Sequence, residues 1–291
     1  MLRKPSKNFW QRICFANLFI VVAALIIGFS QEPFGRWPFV LILLIFQSAA
    51  LSEYSSLCYR TGHRIAFKSL LLFSNLYLLS RFLTAFFPAR IHLQYAIVFV
   101  GALGTTLSFF RHQRASLTNI ALTLLGFLMI SYPVSLMIDI NFIPRLITEQ
   151  HTSFWLVWLL AVTKGSDAAA YFTGKSFGKH PLAPQLSPKK TIEGALCGLI
   201  FSACISIALS FVYRKMHPIS LTTDAWGMLG FIVGLLALLG DLSESLIKRS
   251  VGVKDSAAIP GLGGTLDMVD SLVFATPFLY FYLTVTEILP G

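Results

Sequence analysis

Nine mostly apolar stretches of about 20 residues each, the length that carries an α-helix across a bilayer, follow one another along the chain, at roughly 11–30, 37–57, 66–87, 91–110, 116–139, 153–173, 191–213, 224–247 and 264–287. The expected fold class is therefore all-α, a polytopic transmembrane helical protein of about nine spans. Composition agrees. Charged residues make up 12% of the 291, against about 25% in a soluble domain, and mean hydropathy is +0.71. There are too few charges to cover a soluble surface. The first stretch is long for a secretory signal and no A-x-A site follows it, so a retained helix is expected.

Orientation follows from the basic residues. With the N-terminus on side one, that side receives sixteen Lys and Arg: Arg3, Lys4, Lys7, Arg12, Arg60, Arg64, Lys68, Arg111, Arg114, Lys175, Lys179, Lys189, Lys190, Lys248, Arg249 and Lys254. Side two receives six, Arg36, Arg81, Arg90, Arg145, Arg214 and Lys215, and Lys164 falls inside a span. Cytoplasmic loops carry the excess of Lys and Arg, which places side one and the N-terminus in the cytoplasm. These loops also account for the net charge of +10 without any nucleic-acid partner. Cys14, Cys58, Cys197 and Cys204 show no C-x-x-C spacing and read as packing residues.

The two halves differ in polarity. Residues 1–150 read as a scaffold of transmembrane helices in which Glu53 is the ionisable group that stands out, and 151–291 as the catalytic region. There the spans carry Lys164, Asp167, Glu193, Asp241, Glu244, Asp267 and Asp270. An ionisable group inside a span costs about 2.5–3.5 kcal/mol on insertion scales and usually faces a polar cavity.

Asp241, Ser245 and Lys248 are spaced i, i+4, i+7 and share one helix face; Asp267, Asp270 and Ser271 share another. Pro260, Gly261, Gly263 and Gly264 break the chain between them. A helix starting near Gly264 would offer free N–H groups to phosphate oxygens, with Lys248, Arg249 and Lys254 nearby. Carboxylates of Asp241, Asp267 and Asp270 facing one pocket would repel unless a cation lay between them. Oxygen-only ligands suit Mg²⁺, alone or with a second cation. Lysines beside such a site are what phosphoryl or nucleotidyl transfer needs. A second cluster precedes this one. It contains Asp167, Tyr171, Gly174-Lys175, Gly178-Lys179, and Ser187-Pro188-Lys189-Lys190-Thr191 leading to Glu193 at a helix start.

At these clusters the chain resembles the phosphatidate cytidylyltransferase family, the CDP-diglyceride synthases. Ser245, Lys248, Arg249, Lys254 and Asp255, then Pro260, Gly261, Gly263, Gly264, Asp267 and Asp270, match that family's S-x-x-K-R-x4-K-D…P-G-H-G-G…D-R-x-D pattern. The upstream stretch matches through Asp167, Ala170, Tyr171, Gly174, Lys175, Phe177, Gly178, Lys179, Ser187 to Thr191, Glu193 and Gly194. Leu262 stands where the family commonly has His, and Met268 where it commonly has Arg. The match covers roughly 160–280.

The resemblance implies CMP transfer from CTP to phosphatidic acid at a cytoplasm-facing site in the inner (plasma) membrane. Asp241, Lys248, Lys254, Asp267 and Asp270 would carry the chemistry, with Asp241, Asp267 and Asp270 on the metal. Asp167, Tyr171, Lys175, Ser187, Lys189, Lys190, Glu193, Ser245, Arg249, Asp255, Gly263 and Gly264 would bind substrate. A twofold homodimer is the default assembly. A lipid nucleotidyltransferase with another acceptor, an ion-coupled transporter and a catalytically silent family member are the competing readings.

Overall fold

The computed structural model describes residues 22–86, 93–110, 116–142, 153–216, 221–250, 252 and 264–288. After a helical stretch at 22–29 (α1) come α2 (Pro33–Arg60), α3 (Phe67–Phe86) and α4 (Leu93–Ser108). Then α5 (Ser116–Gly126) runs through a π-helical turn, Phe127–Ser131, into α6 (Tyr132–Phe142). The second half holds α7 (Ser153–Phe177), a two-stranded hairpin of β1 (Pro181–Ala183) and β2 (Ser187–Thr191), α8 (Ile192–Met216) and α9 (Thr223–Ser250). It ends with α10 (Thr265–Val269), a 3-10 turn at Asp270–Leu272, and α11 (Ala275–Ile288).

Each of the last eight apolar stretches contains helix. The first is described only from residue 22, and its earlier part lies outside the described residues. Among the described residues, five helical segments have the length and apolarity to cross a membrane: Pro33–Arg60, Leu117–Phe142, Ile192–Lys215, Thr223–Ser250 and Thr265–Thr286. The chain is thus a mostly helical membrane protein. The hairpin departs from the all-α expectation. Its strands are antiparallel, with Pro181 opposite Thr191 and Ala183 opposite Ser187, so the basic stretch before α8 is a structured arm. The π turn has a local cause. Pro133 has no N–H to give the turn before it, and the helical ladder slips there by one residue. Ser131 Oγ donates to Ser74 Oγ at 2.8 Å and ties the turn to α3.

In the second half, α8 packs along both α7 and α9. Small residues let the backbones approach, as is usual between membrane helices. A Cβ on Gly198 would stand 2.9 Å from the Ser166 carbonyl oxygen of α7, and one on Gly230 2.7 Å from that of Ser202. Ser206 Oγ donates to the Trp226 carbonyl at 2.5 Å. Trp155 stacks on Trp226 with ring centroids 5.2 Å apart, beside Trp158 and Tyr213. This aromatic cluster lies at the start of α7 and α9, opposite the acidic end of α9.

The first half also holds buried charge. Arg81, assigned above to a side-two loop, lies in α3 and is 8% exposed. Its Nη1 is 2.5 Å from Asp139 Oδ2 of α6. Its other nitrogens reach Tyr77 Oη at 2.6 and 3.2 Å, and the Tyr280 ring of α11 lies 5.7 Å from the guanidinium. Neither residue is visible as a pair in the sequence, because 58 positions separate them. Removing one partner of a buried pair strands the other charge, at about 3–5 kcal/mol. Asp139→Ala is therefore expected to lower the thermal unfolding midpoint in detergent sharply. Arg81→Leu combined with Asp139→Leu should recover most of the loss; a double variant no better than the single one would count against this account.

Candidate active site

The last three turns of α9, the 3-10 turn after α10, the end of α7 and strand β2 converge on one acidic centre. The helical face expected on α9 is present, and Glu244 joins it. Asp241, Glu244 and Asp270 each offer a carboxylate oxygen, all within 4.8 Å of one another. Glu244 and Asp270 are buried and Asp241 is half-buried. Gly240 makes this grouping possible. A Cβ there would collide with the Asp270 carbonyl oxygen and lie 3.7 Å from Ser271 Cα. Only a residue without a side chain lets α9 come so close to the turn that carries Asp270.

Three lysines interleave with these acids. Lys190 of β2 pairs with Asp241. Lys248, one turn beyond Glu244, binds Glu244 Oε1 at 2.6 Å and also pairs with Asp267. Lys164 of α7 lies 3.8 Å from Asp270 Oδ1 and 4.0 Å from Asp167 Oδ2. It also donates to Ser271 Oγ at 2.6 Å and to the Met268 carbonyl at 3.2 Å. Five carboxyl groups therefore share three lysines.

Asp267 is not one of the three grouped carboxylates but shares Lys248 with Glu244 beside them. Its Oδ2 accepts the Gly264 N–H at 2.9 Å, and its other oxygen takes Lys248. The N–H groups of Thr265 and Leu266 go to the two oxygens of Glu53, at 2.9 and 3.0 Å. The helix start expected to hold phosphate is thus capped by two carboxylates. The reason is local: Gly264 has no side chain with which to cap α10 itself.

Two clefts meet at this centre. One, of about 250 Å³, is polar: Asp241, Glu244, Asp267 and Asp270 form its floor, and Ser187, Lys189, Ser245, Lys248 and Arg249 its walls. The other, of about 550 Å³, runs past Asp167, Tyr171, Lys175 and Lys190 to Asp241. Lys189 and Asp241 belong to both. Tyr171 is exposed, with Lys175 Nζ 5.8 Å from its ring centre. Arg249 Nε donates to the Leu186 carbonyl at 3.0 Å and fastens the hairpin to α9. Glu193 lines neither cleft. It accepts the N–H groups of Lys179 and His180 at 3.1 and 3.3 Å and lies 2.6 Å from His180 Nδ1, closing the turn between α7 and β1. Lys254, Asp255 and Gly263 lie outside the described residues.

Behind the acidic centre is a third cavity, of about 150 Å³ and lined by carbon. Ile27, Phe39, Leu43, Leu156 and Leu272 enclose it, and it ends at Lys164 and Met268.

The description "Cytidylyltransferase family" fits a family model that matches residues 10–286. The chain belongs to this family. A Synechocystis protein named phosphatidate cytidylyltransferase is 32% identical over 289 residues, 90% of this chain and 94% of that one. Proteins of the same name from Haemophilus influenzae and Chlamydia muridarum are 42% and 38% identical over 142 and 139 residues. Those two alignments cover 46% of this chain, and the chain spans about half the length of these relatives, 48% and 44%.

Lys164, Glu53 and Gly240 were not among the candidate residues, and Glu244 was not among the candidate ligands. Lys164 was legible as an i, i+3 partner of Asp167 and Glu244 as part of the α9 face; Gly240 carries no signal beyond being a glycine in a helix. Overpacking costs about 1–3 kcal/mol, so Gly240→Ala should lower the unfolding midpoint measurably. Gly227→Ala on the same helix, where a Cβ would meet only the flexible Ile207 Cδ1 at 3.2 Å, should be nearly silent. Equal midpoints for the two variants would contradict the close approach at Gly240.

Proposed function

We propose that this protein is a phosphatidate cytidylyltransferase, transferring CMP from CTP to phosphatidic acid to give CDP-diacylglycerol and pyrophosphate. The observation that carries this reading is the carboxylate trio interleaved with lysines, set between polar clefts and a carbon-lined cavity in a chain of the cytidylyltransferase family. Such a site can bring an anionic nucleotide and a lipid phosphate together.

The donor set suits a divalent cation. Three carboxylates converge within 4.8 Å on an oxygen-only site, in a cluster where five carboxyl groups share three lysines. Asp241, Glu244 and Asp270 would hold Mg²⁺, whose contribution when bound is to draw charge from the phosphate oxygens. In this reading Asp267, expected from the sequence as a ligand, instead holds Lys248 in place.

The remaining roles fall to the chain's own groups. A lipid phosphate oxygen forms the new bond to the α-phosphorus of CTP as the bond to pyrophosphate breaks. The lipid phosphate is already ionised, so no side chain need act as general base. Lys190 and Lys248, with Lys254 beyond the described residues, take the charge that develops on pyrophosphate. Lys189 and Arg249 on the cleft wall would steady the triphosphate, and Tyr171 and Lys175 the nucleoside end. The acyl chains would lie toward the carbon-lined cavity, with Lys164 meeting the phosphate at its inner end. We place the site on the cytoplasmic side of a cell inner membrane crossed by about nine spans. The basic residues divide sixteen to six between the two sides, which supports that orientation.

The test is purified protein in detergent with labelled CTP, Mg²⁺ and phosphatidic acid. Lipid-linked CMP is expected, and its absence with every phospholipid and isoprenoid acceptor tried would overturn the reading. Loss of outer-sphere partners alone lowers metal affinity or activity by about 10–100-fold. Asp241→Asn and Asp270→Asn should therefore lower kcat at least about 100-fold, with a raised Mg²⁺ requirement for any activity left. Asp267→Asn should lose activity with the Mg²⁺ requirement unchanged. If Asp267→Asn shifts the Mg²⁺ dependence as far as Asp241→Asn does, Asp267 is a ligand after all.

A further inference from the structure

Glu53 presents an ionisable side chain from a helix long and apolar enough to span a membrane, in the half of the chain that carries no other residue of the acidic centre. Among the described residues its polar partners are two backbone amides, the N–H groups of Thr265 and Leu266, at 2.9 and 3.0 Å. One oxygen serves each amide, and 212 residues separate Glu53 from Thr265. A carboxylate in a membrane helix is costly to keep, and what offsets the cost here is α10.

The helix it caps has no other means of satisfying those amides. The first N–H groups of any helix lack intrahelical partners and are usually met by a side chain just before the helix. Here that residue is Gly264. Asp267 reaches back only as far as the Gly264 N–H. The next two amides belong to residues immediately before Asp267, and within five positions follow Asp270 and Ser271. The segment that Glu53 grips therefore carries Asp270 of the carboxylate trio, Asp267 that holds Lys248, and Ser271 that holds Lys164.

Glu53 is itself firmly mounted. The next residue, Tyr54, is buried and its Oη donates to the Leu122 carbonyl of α5 at 2.8 Å. One turn and a half earlier on the same helix, Gln47 Nε2 donates to Asn75 Oδ1 of α3 at 3.0 Å. Through this carboxylate the first-half scaffold is tied to the segment that carries Asp267 and Asp270.

We infer that Glu53 is a positioning residue for the reaction centre: it fixes the start of α10 and so sets where Asp270 and Asp267 stand relative to α9. The inference rests on the assignment of that centre made above. A simple stability role would predict a uniform loss; positioning predicts a loss in turnover with a local structural signature.

The test uses full-length protein in detergent and reads two quantities. The first is amide hydrogen exchange across 264–272, which does not depend on any activity. The second is kcat and KM for CMP transfer. Glu53→Ala should speed exchange in that segment while α3 and α8 keep wild-type rates. Displacement of a reacting group by about 1 Å can cost about 100-fold, so kcat should fall about 10–100-fold with KM for CTP little changed. Glu53→Gln, which keeps the length and one acceptor oxygen, should fall between. Tyr54→Phe removes one tie of α2, leaves the Gln47–Asn75 tie to hold that helix and leaves the α10 amides capped, so it should alter neither the 264–272 exchange nor kcat appreciably. Unchanged exchange at 264–272 in Glu53→Ala would overturn the inference. So would a kcat near that of wild type, or a Tyr54→Phe loss of the same kind and size. If Glu53→Ala does not fold, Glu53→Gln carries the same comparison. Wild-type protein without CMP transfer would remove the proposed reaction; altered exchange alone would then still establish the cap.

Discussion

Three carboxylates gathered within 4.8 Å of one another are the constraint to which the rest of this structure answers. At an effective dielectric of about 20, two like charges at that distance repel by about 3–4 kcal/mol, and low-dielectric surroundings screen them poorly. The fold meets this repulsion with lysines from three different elements, Lys164 of α7, Lys190 of β2 and Lys248 of α9. No single helix could supply them. The convergence of α7, the hairpin and α9 is what brings acids and lysines together, and it depends on Gly240 giving up a side chain so that α9 can touch the Asp270 turn.

The same constraint explains why the hairpin is ordered. Its basic stretch is drawn in by Lys190 on Asp241 and by Arg249 on the Leu186 carbonyl. Glu193 closes the other end of the arm on the Lys179 and His180 amides. The basic stretch before α8 is therefore part of the cleft wall, with Lys189 lining both clefts and Lys190 one of them.

Helical periodicity made the architecture and the acidic face of α9 legible in the sequence. Apolar runs of spanning length report helices because lipid leaves the backbone no alternative. An i, i+4, i+7 spacing reports a shared face because of the helix pitch. Neither says what lies across from that face. Asp241, Asp267 and Asp270 could be named together, but spacing could not tell that Lys248 would pair with both Asp267 and Glu244, or that Glu244 would stand beside Asp241. Contacts across long sequence separations were out of reach for the same reason. Glu53 was visible as a charge in a span, yet its partners are backbone amides, which carry no residue identity to recognise. Arg81 fell inside the 66–87 stretch yet was counted with side two, and Asp139 fell at the end of the 116–139 stretch and went unread, although they form a buried pair.

Met268 stands where the related pattern commonly has Arg, and its surroundings bear on that departure. Its side chain lines the carbon-lined cavity with Leu272 and Phe39, where a guanidinium would be poorly solvated. Its carbonyl accepts Lys164 Nζ at 3.2 Å, while the same ammonium reaches Ser271 and lies 3.8 Å from Asp270. The turn is thus not left without a cation: one arrives from α7, at the junction of the carbon-lined cavity and the acidic centre. A positive charge delivered from a neighbouring helix reaches Asp270 and leaves the 268 side chain free to be apolar. The sequence departure and the lysine inside a span, each odd when taken alone, are two sides of one packing arrangement.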